Sequence, residues 1–108
     1  MNHYEGYRTK AGPIVTVNGD LLDLRLDLHN HSPDGFEWGY CGSGPAQLAL
    51  AILADHLGDD KQALNLCQRF KWVVIAELPK REWTLTGHEI DLAIKRIRDE
   101  EAEGEGST

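Results

Sequence analysis

The sequence lacks an apolar run of 18 residues, so it carries no candidate membrane-spanning helix. It also lacks a basic then apolar leader, because Met1 to Lys10 mixes polar and aromatic residues, and a cytoplasmic location with no membrane partner is expected. Cysteine is scarce. Cys41 and Cys67 are the only two, too few for a disulfide framework, and a reducing compartment keeps them as free thiols filling small apolar sites. Basic charge is scarce as well, with 11 Lys and Arg against 18 Asp and Glu. Asp99, Glu100, Glu101, Glu103 and Glu105 crowd the last ten residues, which leaves 11 basic against 13 acidic residues elsewhere. Near balance in the rest of the chain argues against direct nucleic-acid binding, and equally against an acidic surface imitating a nucleic-acid backbone. Length is short too: 108 residues hold one domain and exclude a large enzyme scaffold.

What is present suits a folded chain, at 41% hydrophobic and 27% charged residues. Residues 1–101 read as a single α+β domain and 102–108 as a disordered acidic, Gly-containing tail. Near the start, His3 to Thr9 and the β-branched Ile14 to Val17 read as strands. Leu22, Leu24, Leu26 and Leu28 alternate with Asp23, Arg25 and Asp27, which predicts a third strand with one buried face. Asn18-Gly19 accepts the positive φ angles of a type I′ hairpin turn. The expected sheet is therefore a three-stranded antiparallel meander. Three helices follow. Ser43-Gly44-Pro45 starts the first, Ala46 to Leu57 is apolar nearly all round, and Gly58 ends it. This helix should pack on the leucine face of the sheet. Asp59 or Asp60 starts a second, with Ala63, Leu64, Cys67, Phe70, Val74 and Leu78 at helical spacing up to Pro79. Thr86 and Glu89 form a capping box for a third, striped by Ile90, Ala93, Ile94 and Ile97.

Between sheet and helices, His29 to Gly44 mixes Gly, Pro, Ser, Asp and Asn with three aromatic residues. Phe36, Trp38 and Tyr40 are spaced by two, so an extended backbone puts their rings on one face. That row, with Asp34 and Glu37, is the candidate partner-binding surface, since Trp and Tyr dominate interface hot spots. The competing reading is core cover over the sheet. Gly42, Ser43 and Gly44 before the helix form a candidate anion site on backbone N–H groups, although the spacing matches neither the phosphate loop nor the dinucleotide fingerprint.

Leu26 to Gly35 contains His29-Asn30-His31, which resembles the opening motif of the polymerase and histidinol-phosphatase superfamily, where a His-x-His pair binds catalytic metals. The rest of the chain does not supply that family's barrel or later ligands, so no metal, cofactor or catalytic residue is assigned. Cys41 or Ser43 with His29 or His31 gives a weaker covalent-catalysis option without a third orienting group. Arg69, Lys71, Lys80 and Arg81 around Trp72 and Trp83 read as solvated helix-end charges rather than a nucleic-acid patch.

Across residues 3–97 the chain resembles a family of small uncharacterised bacterial, archaeal and phage proteins. The shared stretches are Asn30 to Pro33, Phe36 to Tyr40, Gly42 to Leu50, Phe70-Lys71-Trp72 and Trp83 to Gly87. The resemblance implies no activity. Its association with mobile elements sets the expectation of a non-enzymatic protein-binding module, an inhibitor or accessory factor docking on a protein or ribonucleoprotein partner such as a host defence complex. The alternative is an anion- or nucleotide-binding protein, or a small hydrolase, using Gly42 to Gly44 with His29 and His31.

Overall fold

A computed structural model describes residues 2–106, with side-chain surroundings through Ala102. The chain opens with β1 (His3–Thr9), β2 (Gly12–Val17) and β3 (Asp20–Leu21). The Thr9 hydroxyl accepts from the Ala11 N–H at 3.1 Å and donates to the Gly12 carbonyl at 2.9 Å, closing the first hairpin. Asn18 and Gly19 turn the second with φ of 52° and 90°, the paired positive angles that the dipeptide predicts. The Asn18 side-chain oxygen adds a bond from the His3 N–H at 2.9 Å.

The leucine alternation does not make a strand. Only Asp20–Leu21 pairs with β2, because Arg25 adopts φ 55° and its N–H bonds the Asp23 carboxylate at 2.8 Å, a local turn that competes with ladder pairing. Leu22 is buried and its N–H still reaches the Val15 carbonyl of β2 at 3.0 Å, while Leu24 and Leu28 are half-buried against the core and cover the interior without being part of the sheet. The first helix therefore has no leucine face of a sheet to lie on.

The sheet has four strands rather than the expected three, in the order β3-β2-β1-β4, with β4 (Glu82–Thr86) antiparallel to β1. Trp83 and Leu85 are buried while Glu82 and Thr84 are exposed. This alternation is present in the sequence, but five residues squeezed between Pro79 and a capping box give a weak period-two signal. Bonds from the Asn18 N–H to the His3 carbonyl and from the Gly87 N–H to the Asn2 carbonyl, each 2.8 Å, set the ladder parity. Odd residues of β1 bond toward β2 and even ones toward β4. Gly6 sits opposite Trp83, and any Cβ there would collide with the indole.

The helices are α1 (Ser43–Leu57), α2 (Asp60–Val73) and α3 (Gly87–Gly106). Residues Gly44 to Ala54 of α1 are all buried, which makes α1 the central element, and Gly58 closes it in the left-handed region with φ 62°. Asp59 caps α2, accepting from the Gln62 N–H at 3.1 Å, and that bond holds the Asp59 carboxyl below its usual range. α2 stops at Val73 instead of continuing through Leu78, and Ile75–Glu77 forms one 3₁₀ turn. The run Val73, Val74, Ile75 crowds a helical backbone, and Pro79 forces Leu78 to an extended ψ of 143°. The capping box forms as its spacing predicts: the Glu89 N–H donates to Thr86 Oγ1 at 3.2 Å and the Thr86 N–H to Glu89 Oε1 at 3.0 Å. Ile90, Ile94 and Ile97 bury the inner face of α3. The architecture is thus α+β, an antiparallel sheet with three helices, and no helix among the described residues is long and apolar enough to cross a membrane.

α3 runs through Gly106, into the stretch that the sequence reading assigns to the tail, while Ser107 and Thr108 lie outside the described residues. Residues 102–108 hold no large apolar side chain, so deleting them is expected to change stability by no more than about 0.5 kcal/mol. A thermal melt checks this, and a fall of ten degrees would refute it.

Candidate functional site

The stretch from Leu24 to Gly44 is irregular, and one side chain of α1 organises it. Gln47 is fully buried. Its Nε2 donates to the carbonyls of Leu24 (2.6 Å) and His29 (3.1 Å), and its Oε1 accepts from the N–H groups of His31 (2.7 Å) and Ser32 (3.0 Å). Both donors and both acceptor positions of one amide are used, which satisfies four backbone groups that have no ladder or helix to serve them. Sequence analysis did not single out Gln47. Its signal is a lone polar residue in the apolar run Pro45 to Ala54. Below this point Arg25 clamps the loop to the start of α2, with Nε 3.0 Å from Asp27 Oδ1 and one terminal nitrogen 3.0 Å from Asp60 Oδ2. The paired Arg25 lowers the Asp27 carboxyl, and Asp27 is committed to this clamp.

The two histidines of the metal-like motif do come together, with ring centroids 4.1 Å apart at 38°. They sit in the loop, not at a strand end. Among the described residues no trio of His, Cys, Asp or Glu is placed to hold a metal ion. Burial first, then the positive charges of His29 and Lys71, hold the His31 imidazole below its ordinary value of 6.5. The neutral ring is therefore favoured by folding. Stability from His31 is present above pH 6.5 and is lost as pH falls through the lower folded value. His31→Gln is expected to flatten the decline in stability as pH falls below 6.5 relative to wild type. Denaturation at a series of pH values tests it, and parallel curves would refute it.

The aromatic row divides. Phe36 and Trp38 are buried and Tyr40 is 48% exposed. Gly39 causes the split: at φ 85° it turns the chain, its N–H bonds the Ile75 carbonyl at 3.0 Å, and a Cβ would lie 2.8 Å from Lys80 Cγ. Trp38 is sealed in. Its Nε1 donates to the Lys80 carbonyl at 3.0 Å, its ring meets Trp83 edge-on at 5.7 Å, and the Arg8 guanidinium carbon lies 4.5 Å from the ring centre. Arg8 also holds both Glu37 carboxylate oxygens, at 2.9 and 3.1 Å. Phe36 and Trp38 thus support the loop from beneath, while Asp34 and Tyr40 remain on the surface. The Tyr40 ring lies over Gly42, where an added Cβ would be 2.7 Å from it.

At the start of α1, Gly42 stands in the capping position without a side-chain cap bond, Ser43 is exposed and Gly44 is buried. A Cβ at Gly44 would lie 2.7 Å from Glu37 Cβ. Cys41 is half-buried and Cys67 buried, both as free thiols, with burial pushing the Cys67 thiol up. Trp72 is 60% exposed at the end of α2, with the Lys71 ammonium 5.7 Å from its ring.

A second polar cluster joins residues far apart in sequence. Tyr4, completely buried, donates from its hydroxyl to Asp55 Oδ2 at 2.6 Å, and burial foremost, then that bond, raises its pKa. Asn2 reaches both the Tyr4 hydroxyl (3.3 Å) and His56 Nδ1 (3.4 Å), and His56 Nε2 lies 2.7 Å from Asp91 Oδ1. No sequence spacing marks this cluster, which ties the N-terminus, α1 and α3 together.

Fold and site define a small α+β protein whose irregular loop is held on a central apolar helix by a buried glutamine. The family of unknown function DUF6166 matches residues 4–96, and the chain belongs to it. No curated protein and no solved structure matches the chain.

Proposed function

We propose that this protein is a cytoplasmic protein-binding module whose contact surface centres on Tyr40, with Asp34 and Glu37 beside it on the same loop. The observation that carries the reading is the state of the Tyr40 ring, half exposed yet resting on the Gly42 backbone. An aromatic side chain already held in place loses little rotamer freedom on binding, which is what an interface anchor requires. Phe36 and Trp38 belong to the same functional unit as its buried footing. The partner we propose is a protein or ribonucleoprotein complex, with a host defence complex as the expectation drawn from the resemblance to mobile-element proteins. An inhibitor or accessory role fits a module of this size. The anion-binding or hydrolase alternative has less support, because the Glu37 stem and the Tyr40 ring fill the space beside Gly44 and Gly42.

The test is affinity purification of the tagged protein from a native host. Tyr40→Ala is expected to lose a stoichiometric partner, at a cost of ~2 kcal/mol or about thirtyfold in affinity, with an unchanged melting temperature. Gly42→Ala, which displaces the ring, should weaken capture in the same direction, and Trp72→Ala should not. Capture that ignores Tyr40→Ala overturns the proposal.

A further inference from the structure

A different surface carries a partner prediction that does not rest on the Tyr40 reading. β4 is the last strand of the sheet. The ladder parity directs the N–H and C=O groups of Trp83 and Leu85 toward β1, so those of Glu82 and Thr84 point away from the sheet. Among the described residues nothing accepts from or donates to them, and both residues are exposed. The opposite edge, β3, is only two residues long, which leaves β4 as the edge able to receive another strand. Beside it, on the solvent face, lies a trough of about 360 Å³. Glu5, Tyr7, Glu82 and Thr84 form its sides, with the backbone at Gly6 and Trp83 as its floor. Two carboxylates on neighbouring strands thus share one recess, and His3 Nε2 lies 3.0 Å from Glu5.

We infer that β4 binds an extended peptide segment of a partner as a fifth strand, and that the segment carries an arginine or lysine opposite Thr84. In antiparallel pairing a residue opposite Thr84 stands roughly 5 Å from it on the same face, and Glu82 lies on the diagonal at roughly 7 Å, within reach of a long basic side chain. Backbone bonds supply the docking and the carboxylate-lined trough supplies the selectivity. A second copy of this chain is a poorer occupant. Pairing two β4 strands about Thr84 sets the second copy's Thr84 opposite Thr84 and its Thr86 opposite Glu82, so it offers the two carboxylates no arginine or lysine.

The probe is the capped peptide Thr-Val-Arg-Val-Thr, titrated to about 2 mM into ¹⁵N-labelled protein and followed by amide NMR. The largest shifts are expected at Glu82 and Thr84. The peptide with Glu in place of Arg should bind at least about tenfold more weakly. Thr84→Pro removes an outward N–H and no ladder bond, so it should abolish binding while the melt is retained. Glu82→Lys leaves the backbone intact and should invert the preference toward the Glu peptide, which covers the case where the proline variant does not fold. Shifts elsewhere, equal binding of the two peptides, an unaltered preference in Glu82→Lys, or self-association through β4 that excludes the peptide would each overturn the inference. Loss of the Tyr40-dependent partner would not affect it.

Discussion

Gln47→Leu is expected to lower stability by roughly 3–6 kcal/mol, because a side chain of similar size removes every bond that holds the 24–32 loop to α1. Two carbonyls and two N–H groups lose their partner at once. Each buried backbone group left unpaired costs ~1–3 kcal/mol. The sum is reduced by those that reach water, since His29 is exposed and His31 and Ser32 are half-buried. Against a total stability of about 5–15 kcal/mol, the loss leaves a marginal protein. Urea denaturation measures it, and a change under 1 kcal/mol would sink the argument. Gln47→Glu separates hydrogen bonding from packing. The carboxylate can still accept from His31 and Ser32 but then faces two carbonyls, so its folded pKa rises above the unfolded value. Its contribution is therefore most favourable at low pH and is lost as pH rises through the folded value, and the gap to wild type should narrow on acidification.

Trp38→Ala is the second large effect. The sequence reading offers this ring either as part of a partner-binding surface or as core cover over the sheet. In the structure the ring is completely buried, and the expected cost is roughly 4–6 kcal/mol. A fully buried Trp truncated to Ala costs ~3–5 kcal/mol. The edge-on contact with Trp83 and the Arg8 guanidinium over the ring add about 0.5–1 kcal/mol each, less than additively. The lost indole hydrogen bond leaves no orphan acceptor, because Arg8 Nε still donates to the Lys80 carbonyl at 2.7 Å. Trp38→Phe, which keeps most of the ring, should then cost only about 1–2 kcal/mol. Chemical denaturation of both variants decides the matter, and a loss below 2 kcal/mol for Trp38→Ala would contradict its role as the floor of the loop.

The contrast between Trp38 and Tyr40 shows where local reasoning stops. An extended Phe36 to Tyr40 predicts three rings on one face, yet Gly39 breaks the extension because Lys80 and Ile75 approach it from about 40 residues away. Leu22 to Leu28 fails as a strand for a similar reason. Its alternation is real, and most of those leucines do cover the core, but Arg25 and Gln47 take the backbone out of the ladder. The His29 and His31 pair was visible as a motif, whereas the absence of a metal-holding trio beside it among the described residues needed the folded chain. The Tyr4, Asp55, His56 and Asp91 cluster left no trace in spacing at all.

Features governed by neighbours within four or five residues were determined by the sequence itself. These are the hairpin turn at Asn18-Gly19, the all-round apolar helix closed by Gly58, the capping box of Thr86 and Glu89, and the α+β class. Each depends on φ preferences, side-chain periodicity or a bond to a nearby amide, which are properties of a short segment. Tertiary structure alone decided the fourth strand, the burial of Trp38, the exposure of Tyr40 and the fourfold use of Gln47. Those outcomes depend on which distant backbone groups lack partners once the core has formed, and an amide in the middle of a buried helix satisfies them only when the loop is folded against it.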